Sequence, residues 1–296
     1  MSSILRADVY VAPGIPFKSP LPLPSYIVPI WSPMSITLIS AKNEAVLVDA
    51  LMTTVQANEL ADWIESLIPD KRLTTIYITH GHGDHFFGLT TLLKRFPEAQ
   101  AVATAKVIQH MKNELEPDFY QAVWGSRFGD QIVVQDLMAK IKPLGSELTI
   151  NLEGHTLQAV DAGQSDTYDT TFLHVPSLKM VVAGDSVYND VHQFLGESTT
   201  AEKRAGWIAT VDKIAALKPE TIIAGHKRPG AVDGVNNLAA TIKYIEIFGD
   251  LALQTKNPED LFHKMANVYP NRVNPYALWL SAVGTCGPTK EWGGLA

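Results

Sequence analysis

The chain predicts an α+β protein, a four-layer αββα sandwich in which two mixed β-sheets are flanked by helices. Three observations carry this expectation. Strand-like and helical patterns arrive as one block and then again as a second block. Three apolar strand candidates each end in a polar residue, at Asp49, Asp185 and His226. No composition break marks a linker, so residues 1–296 read as one domain.

The elements follow in order. Residues 1–34 form a Pro-rich N-terminal segment, with seven prolines between Pro13 and Pro33, and should be extended and irregular. Its Phe17, Tyr26 and Trp31 favour a loop wrapped over the surface, or over a site, rather than a free linker. Residues 35–40 and 45–49 read as strands around the turn Lys42-Asn43-Glu44. A helix is predicted over 54–68, where Leu60, Trp63, Ile64, Leu67 and Ile68 share a face and Pro69 ends the run. Residues 73–79 form the next strand. A helical pattern through Phe86, Leu89, Leu92, Leu93 and Phe96 comes after it.

Residues 104–128 predict two helices, the second started by Pro117. Tyr120, Trp124 and Phe128, spaced four apart, mark a core stripe or a pocket wall. Residues 148–152 and 156–160 predict one hairpin, and residues 172–175 and 180–183 another. A long helix is expected over 201–217 and a short strand over 221–224. Residues 235–296 read as a helical C-terminal extension.

Composition narrows the function. At 46% hydrophobic and 19% charged this is an ordinary globular chain. A net charge of −7 without a basic stripe makes a nucleic-acid partner unexpected. No run of about 18 apolar residues suggests a membrane span, and no signal peptide is read at the start. The single Cys286 excludes an internal disulfide and a cysteine-based zinc site, and fits a cytoplasmic setting.

The stretch that carries chemistry is Thr79-His80-Gly81-His82-Gly83-Asp84-His85. It places three imidazoles and one carboxylate between a strand and a helix, a donor set suited to zinc. The glycines allow the loop to fold tightly enough for alternate side chains to converge.

With Gly184-Asp185 and Gly225-His226 further on, the chain resembles the metallo-β-lactamase-fold hydrolase superfamily over about residues 35–230. The pattern His-x-His-x-Asp-His falls on His80, His82, Asp84 and His85. The resemblance implies two zinc ions, with iron or manganese as alternatives. One ion would sit at His80 and His82, the other at Asp84, His85 and His226, with Asp185 shared. Asp49 would support the histidine loop from behind. Where the family usually supplies a further histidine, this chain has Gly163-Gln164-Ser165-Asp166. Gln164 at that position implies an amide donor and a looser His80/His82 site, with Asp166 as a nearby metal or water contact. The resemblance also implies a metal-bound hydroxide as nucleophile, with Asp84 as the catalytic carboxylate.

Tyr188, Asn189 and His192 are expected to line the mouth of the site, and Lys227 and Arg228 either to anchor a substrate carboxylate or to lie in a solvated turn. His110, His174 and His263 have no companion pattern. The expected activity is the opening of a small cyclic amide, carbamate or ester, a lactam or lactone, in detoxification. Thioester cleavage of the glyoxalase-II or polyketide-releasing kind and a mononuclear-iron dioxygenase are the alternatives. The expected partner is a small-molecule substrate alone.

Overall fold

The computed structural model describes residues 4–20 and 22–287. Strand β1 (Arg6–Ala12), which the sequence pattern did not disclose, runs antiparallel along β2 (Met34–Ser40), with Arg6 opposite Ser40 and Ala12 opposite Met34. The proline-rich stretch between them forms an isolated bridge, Pro16 to Ile30, and no regular element among its described residues.

Strand β3 (Glu44–Val48) pairs antiparallel with β2, and helix α1 (Thr54–Leu67) follows. Thr53 and Gln56 close a reciprocal cap at the start of α1, satisfying two backbone donors that would otherwise be unpaired. Strand β4 (Arg72–Tyr77) lies parallel to β3 and opens into the short helix α2 (Gly83–Phe86). Next come α3 (Leu89–Arg95), β5 (Gln100–Ala103), α4 (Ala105–Glu114) and α5 (Pro117–Tyr120). A single π turn over Gln121–Gly125 leads into α6 (Ser126–Phe128). Strand β6 (Ile141–Pro143) completes this half. Strands β5 and β6, at four and three residues, are too short for a period to declare itself in sequence.

The second half supplies β7 (Thr149–Leu152), β8 (His155–Gln164), β9 (Tyr168–Val175) and β10 (Met180–Val182). They are followed by β11 (Tyr188–Asn189), α7 (Ala201–Ala216), β12 (Thr221–Ile223) and β13 (His226–Lys227). Helices α8 (Asn236–Leu253), α9 (Pro258–Val268) and α10 (Pro275–Cys286) end the described chain. Residues 288–296 of the expected helical extension lie outside the described residues. Strands β8 and β9 are longer than the sequence pattern implied. Their pairing shifts register on both sides of Gly163, a bulge that masks the alternation.

The predicted sandwich is what these elements form. One sheet runs β11-β13-β2-β3-β4-β5-β6, with β1 also on β2, and the other runs β12-β10-β9-β8-β7. Alternation along the strands sorts side chains between two cores. Val46 and Val48 of β3 and Met180 and Val182 of β10 belong to a cluster shared by the two sheets. Leu47 and Val181, one residue over, pack into the larger cluster that includes the helices. His80 and His82 follow β4, Asp84 and His85 stand in α2, Asp185 lies in the turn after β10 and His226 opens β13 just past β12, so three successive strand ends deliver these groups to one rim.

Candidate metal centre

Four buried histidines meet at this rim, and each has one ring nitrogen tied to the protein. His85 Nδ1 donates to Asp49 Oδ2 at 2.9 Å, and His226 Nδ1 donates to the Pro33 carbonyl at 3.0 Å. His82 Nε2 donates to Glu197 Oε1 at 2.9 Å. Thr79 spends its hydroxyl proton on Asp49 at 3.0–3.1 Å, so its oxygen receives His80 Nδ1–H at 3.0 Å. The remaining nitrogens, His80 Nε2, His82 Nδ1, His85 Nε2 and His226 Nε2, are the ones left for a cation, to which the neutral rings would offer lone pairs.

Those nitrogens face one another and carboxylate oxygens. His80 Nε2 is 3.3 Å from His82 Nδ1, which is 3.1 Å from Asp166 Oδ2. Asp185 offers Oδ1 to His85 Nε2 and Oδ2 to His226 Nε2, each at 3.2 Å. Asp84 Oδ2 stands 3.6 Å from His226 Nε2. His85 Nε2, Asp166 Oδ2 and Asp185 Oδ1 are buried with no hydrogen bond. Buried polar atoms left this way are costly unless something satisfies them. Divalent cations fit this donor set. The convergent groups are His80, His82 and Asp166; His80, His85 and Asp185; Asp84, His85 and His226; and, to one side, His82, His110 and Glu114.

Among the protein's own groups, the neighbouring carboxylates set the charge of these rings: burial lowers each pKa, but Asp185 with Asp49 holds His85 well above the ordinary value and Asp185 raises His226. At His80 burial holds the pKa well below the ordinary value. At His82 burial is outweighed by Asp166 and Glu197, and the pKa rises well above it. Burial would raise the Asp185 carboxyl, but His226 and His85 hold it well below the usual range.

Glycine supplies clearance. A Cβ on Gly225 would overlap Asp185 Oδ1 and lie 2.7 Å from the Gly184 carbonyl carbon. Gly81 packs against the His110 ring, so close approach, rather than a left-handed backbone, explains a glycine between the two histidines.

The model of the metallo-beta-lactamase superfamily matches residues 30–226. The chain belongs to this superfamily. Solved structures agree on the fold. A metallo-beta-lactamase family protein from Thermus thermophilus is 18% identical with a TM-score of 0.60, covering 93% of this chain and 91% of that one. A metallo-beta-lactamase from Pontibacter korlensis is 17% identical with a TM-score of 0.57, covering 82% and 99%. The metallo-beta-lactamase FIM-1 from Pseudomonas aeruginosa, solved in a mono-zinc form, is 16% identical with a TM-score of 0.56, covering 82% and 92%. No curated protein sequence matches the chain.

Within this superfamily fold, several expected site residues lie elsewhere. Gln164, the last residue of β8, turns its amide to the Ser165 carbonyl and the Ser198 hydroxyl, both at 3.0 Å, and packs beside Gly206 of α7. The bulge at Gly163 sets that direction, and Asp166 stands with His80 and His82 instead. Asn189 donates to the Val232 carbonyl, and Lys227 pairs with Asp233 at 2.7 Å. His192 Nδ1 meets the Tyr244 hydroxyl at 2.9 Å, in a buried cluster with Arg272. None of these three lines the pocket over the centre. Arg228 pairs with Asp190 and the Asn271 carbonyl at the surface, its side chain still part-exposed. Tyr188 does line the pocket, and its hydroxyl donates to Asp185 Oδ2 at 2.6 Å.

The Trp31 indole donates to Asp84 Oδ2 at 2.8 Å, so the proline-rich segment lies over the site, one of the two placements expected of it. Other groups at the site escaped the sequence reading. Glu197 and Glu114 are both buried beside His82. Glu114 takes a 2.6 Å hydrogen bond from the Trp124 indole, and burial pushes its carboxyl up to about 8. His110, at 3% exposure, stacks on Tyr168, and burial lowers its pKa to about 4. The spacing from His110 to Glu114, four residues on one helix, was the available signal.

Proposed function

We propose that this protein is a zinc-dependent hydrolase that opens a small cyclic amide, carbamate or ester, a lactam or lactone. The observation that carries this reading is the convergence of four buried imidazoles with Asp84, Asp166 and Asp185, at the base of a pocket lined by His82, His226 and these three carboxylates. Imidazole with carboxylate is the donor chemistry of zinc. His80, His82 and Asp166 would hold one ion, and Asp84, His85 and His226 the other, with Asp185 between them. A charged oxygen from Asp166, in place of the amide expected at Gln164, removes the reason for a looser first site. Bound zinc supplies polarisation of a carbonyl and a lowered pKa for water.

The chain's own groups do the rest. Asp49 and Glu197 orient His85 and His82, and Tyr188 fixes the Asp185 carboxylate. Trp31 holds one oxygen of Asp84, the pocket carboxylate placed to take a proton from the attacking water and return it to the leaving group. The apolar wall excludes bulk water. Among the described residues no helix is long and apolar enough to cross a membrane. A cytoplasmic location, where the free Cys286 stays reduced, completes the proposal, with a small molecule as the sole partner.

The test is a metal count on purified protein followed by hydrolysis assays on lactams, lactones and thioesters. Zinc at two per chain and turnover of a cyclic amide or ester are expected, with turnover abolished in Asp84→Ala at unchanged circular dichroism. Near-native turnover in that variant would refute the assignment.

A further inference from the structure

The pocket over the centre has an aromatic wall. Its wall is built from Trp31, Phe119, Trp124, Phe194, Tyr276 and Leu280. Trp31 and Trp124 lie 5.2 Å apart between ring centroids, with Phe128 and Tyr276 packed on Trp31 behind them. No lysine or arginine lines this pocket among the described residues. The nearby cations are committed elsewhere. Arg127, behind the wall, donates to the carbonyls of Ala122 and Val123 and to the Tyr276 hydroxyl, Lys203 to the carbonyl of Glu197, and Lys227 to Asp233.

The ionisable groups that do face the pocket are acids and histidines: Asp84, Glu114, Asp166, Asp185 and Glu197, with His82 and His226. Two divalent ions would bring +4, and Asp84, Asp166 and Asp185 return −3, leaving +1 before Glu197 is counted. A neutral donor at the place of Asp166 would leave +2. The centre is therefore weakly attractive to anions, and the wall offers no second anchor for one. A carboxylate entering here would lose its hydration beside other carboxylates. A flat aromatic ring would gain contact with indole and phenyl faces.

We infer that the pocket selects an uncharged lactam, carbamate or lactone fused to an aromatic ring, and discriminates against ring systems that bear a carboxylate or phosphate. The inference rests on the hydrolase reading for the bond broken, but the selection for neutral aromatic ligands is a property of the wall and can be measured without catalysis.

The probes are oxindole and phthalide, each paired with its ring-carboxylated derivative. Calorimetric binding to the full-length protein is measured with and without zinc, and kcat/KM is measured on the zinc-loaded form. The neutral member of each pair should bind the metal-free protein at least ten-fold tighter, and no weaker than that preference after zinc is added. Equal or tighter binding of the carboxylates, or no detectable binding of any probe, overturns the inference. Preferential binding of the neutral probes without turnover of either upholds the inference and fails the hydrolase reading, so the two are separable. Leu280→Lys, which sets a cation in the wall, should shift the preference at least ten-fold toward the carboxylates, and Ala277→Lys on the neighbouring turn of α10 provides the same test should the first variant fold poorly. An unmoved preference in a folded variant also overturns it.

Discussion

Trp31 and Asp84, 53 residues apart, are joined by a 2.8 Å hydrogen bond from the indole nitrogen to Oδ2. The bond fixes which oxygen of Asp84 remains for the pocket, and it ties an irregular segment to a motif on a strand-to-helix loop. Hydrogen bonds to charged groups contribute about 1.5–3 kcal/mol. Trp31→Phe keeps the aromatic packing and removes the donor. It should lower kcat/KM roughly ten-fold or more, with little change in melting temperature, since each 1.4 kcal/mol is a factor of ten. Steady-state kinetics beside a thermal melt check this, and an unchanged kcat/KM would show that Asp84 needs no such support.

Asp166 and Gln164 make opposite predictions. Asp166→Asn should weaken zinc at His80 and His82 by about ten-fold or more, because a charged donor becomes a neutral one. Gln164→Ala should leave zinc affinity within about two-fold, since that amide is turned toward Ser198. Chelator competition reads both. A large loss in Gln164→Ala with none in Asp166→Asn would restore the expectation drawn from sequence.

That reversal shows where sequence reading stops. His80, His82, Asp84 and His85 were legible because they are local: one strand-to-helix loop fixes their relation. Asp185 and His226 were legible because each closes a short apolar strand. Gln164 misled because a bulge at Gly163 shifts the register, and the shift depends on how β8 pairs with β9. Glu114, Glu197 and Trp31 reach the site through tertiary packing of α4, of the loop before α7 and of the proline-rich segment, which no local period encodes. Strand β1 stayed hidden because its burial comes from pairing with β2 across an irregular stretch.

Gly225 separates backbone from carboxylate. In Gly225→Ala the added methyl overlaps Asp185 Oδ1 and presses on the backbone of Gly184, neither of which can swing away as a flexible side chain would. Overpacking of this kind costs about 1–3 kcal/mol. The variant should melt several degrees lower and bind substoichiometric zinc. Full zinc content at the native melting temperature would mean that Asp185 is free to move.

His192 gives a pH signature remote from the metal centre. Burial, with Arg272 second, lowers its pKa to about 3 from an ordinary 6.5. Between those values the unfolded chain takes up a proton that the folded one refuses. Its contribution to stability is therefore complete above pH 6.5 and is lost as pH falls toward 3. His192→Gln should lose less stability than the native chain between about pH 6.5 and 4, measured by denaturant titration at several pH values. Parallel pH profiles would remove His192 as the source.

The segment that carries Trp31 also carries Pro33, whose carbonyl holds the far nitrogen of His226. Two anchors of the centre thus hang on a stretch of chain that belongs to neither sheet. A proteolytic nick there would leave the scaffold standing and the centre silent, which makes this stretch a poor place to trim for crystallisation and a natural handle for switching the protein off.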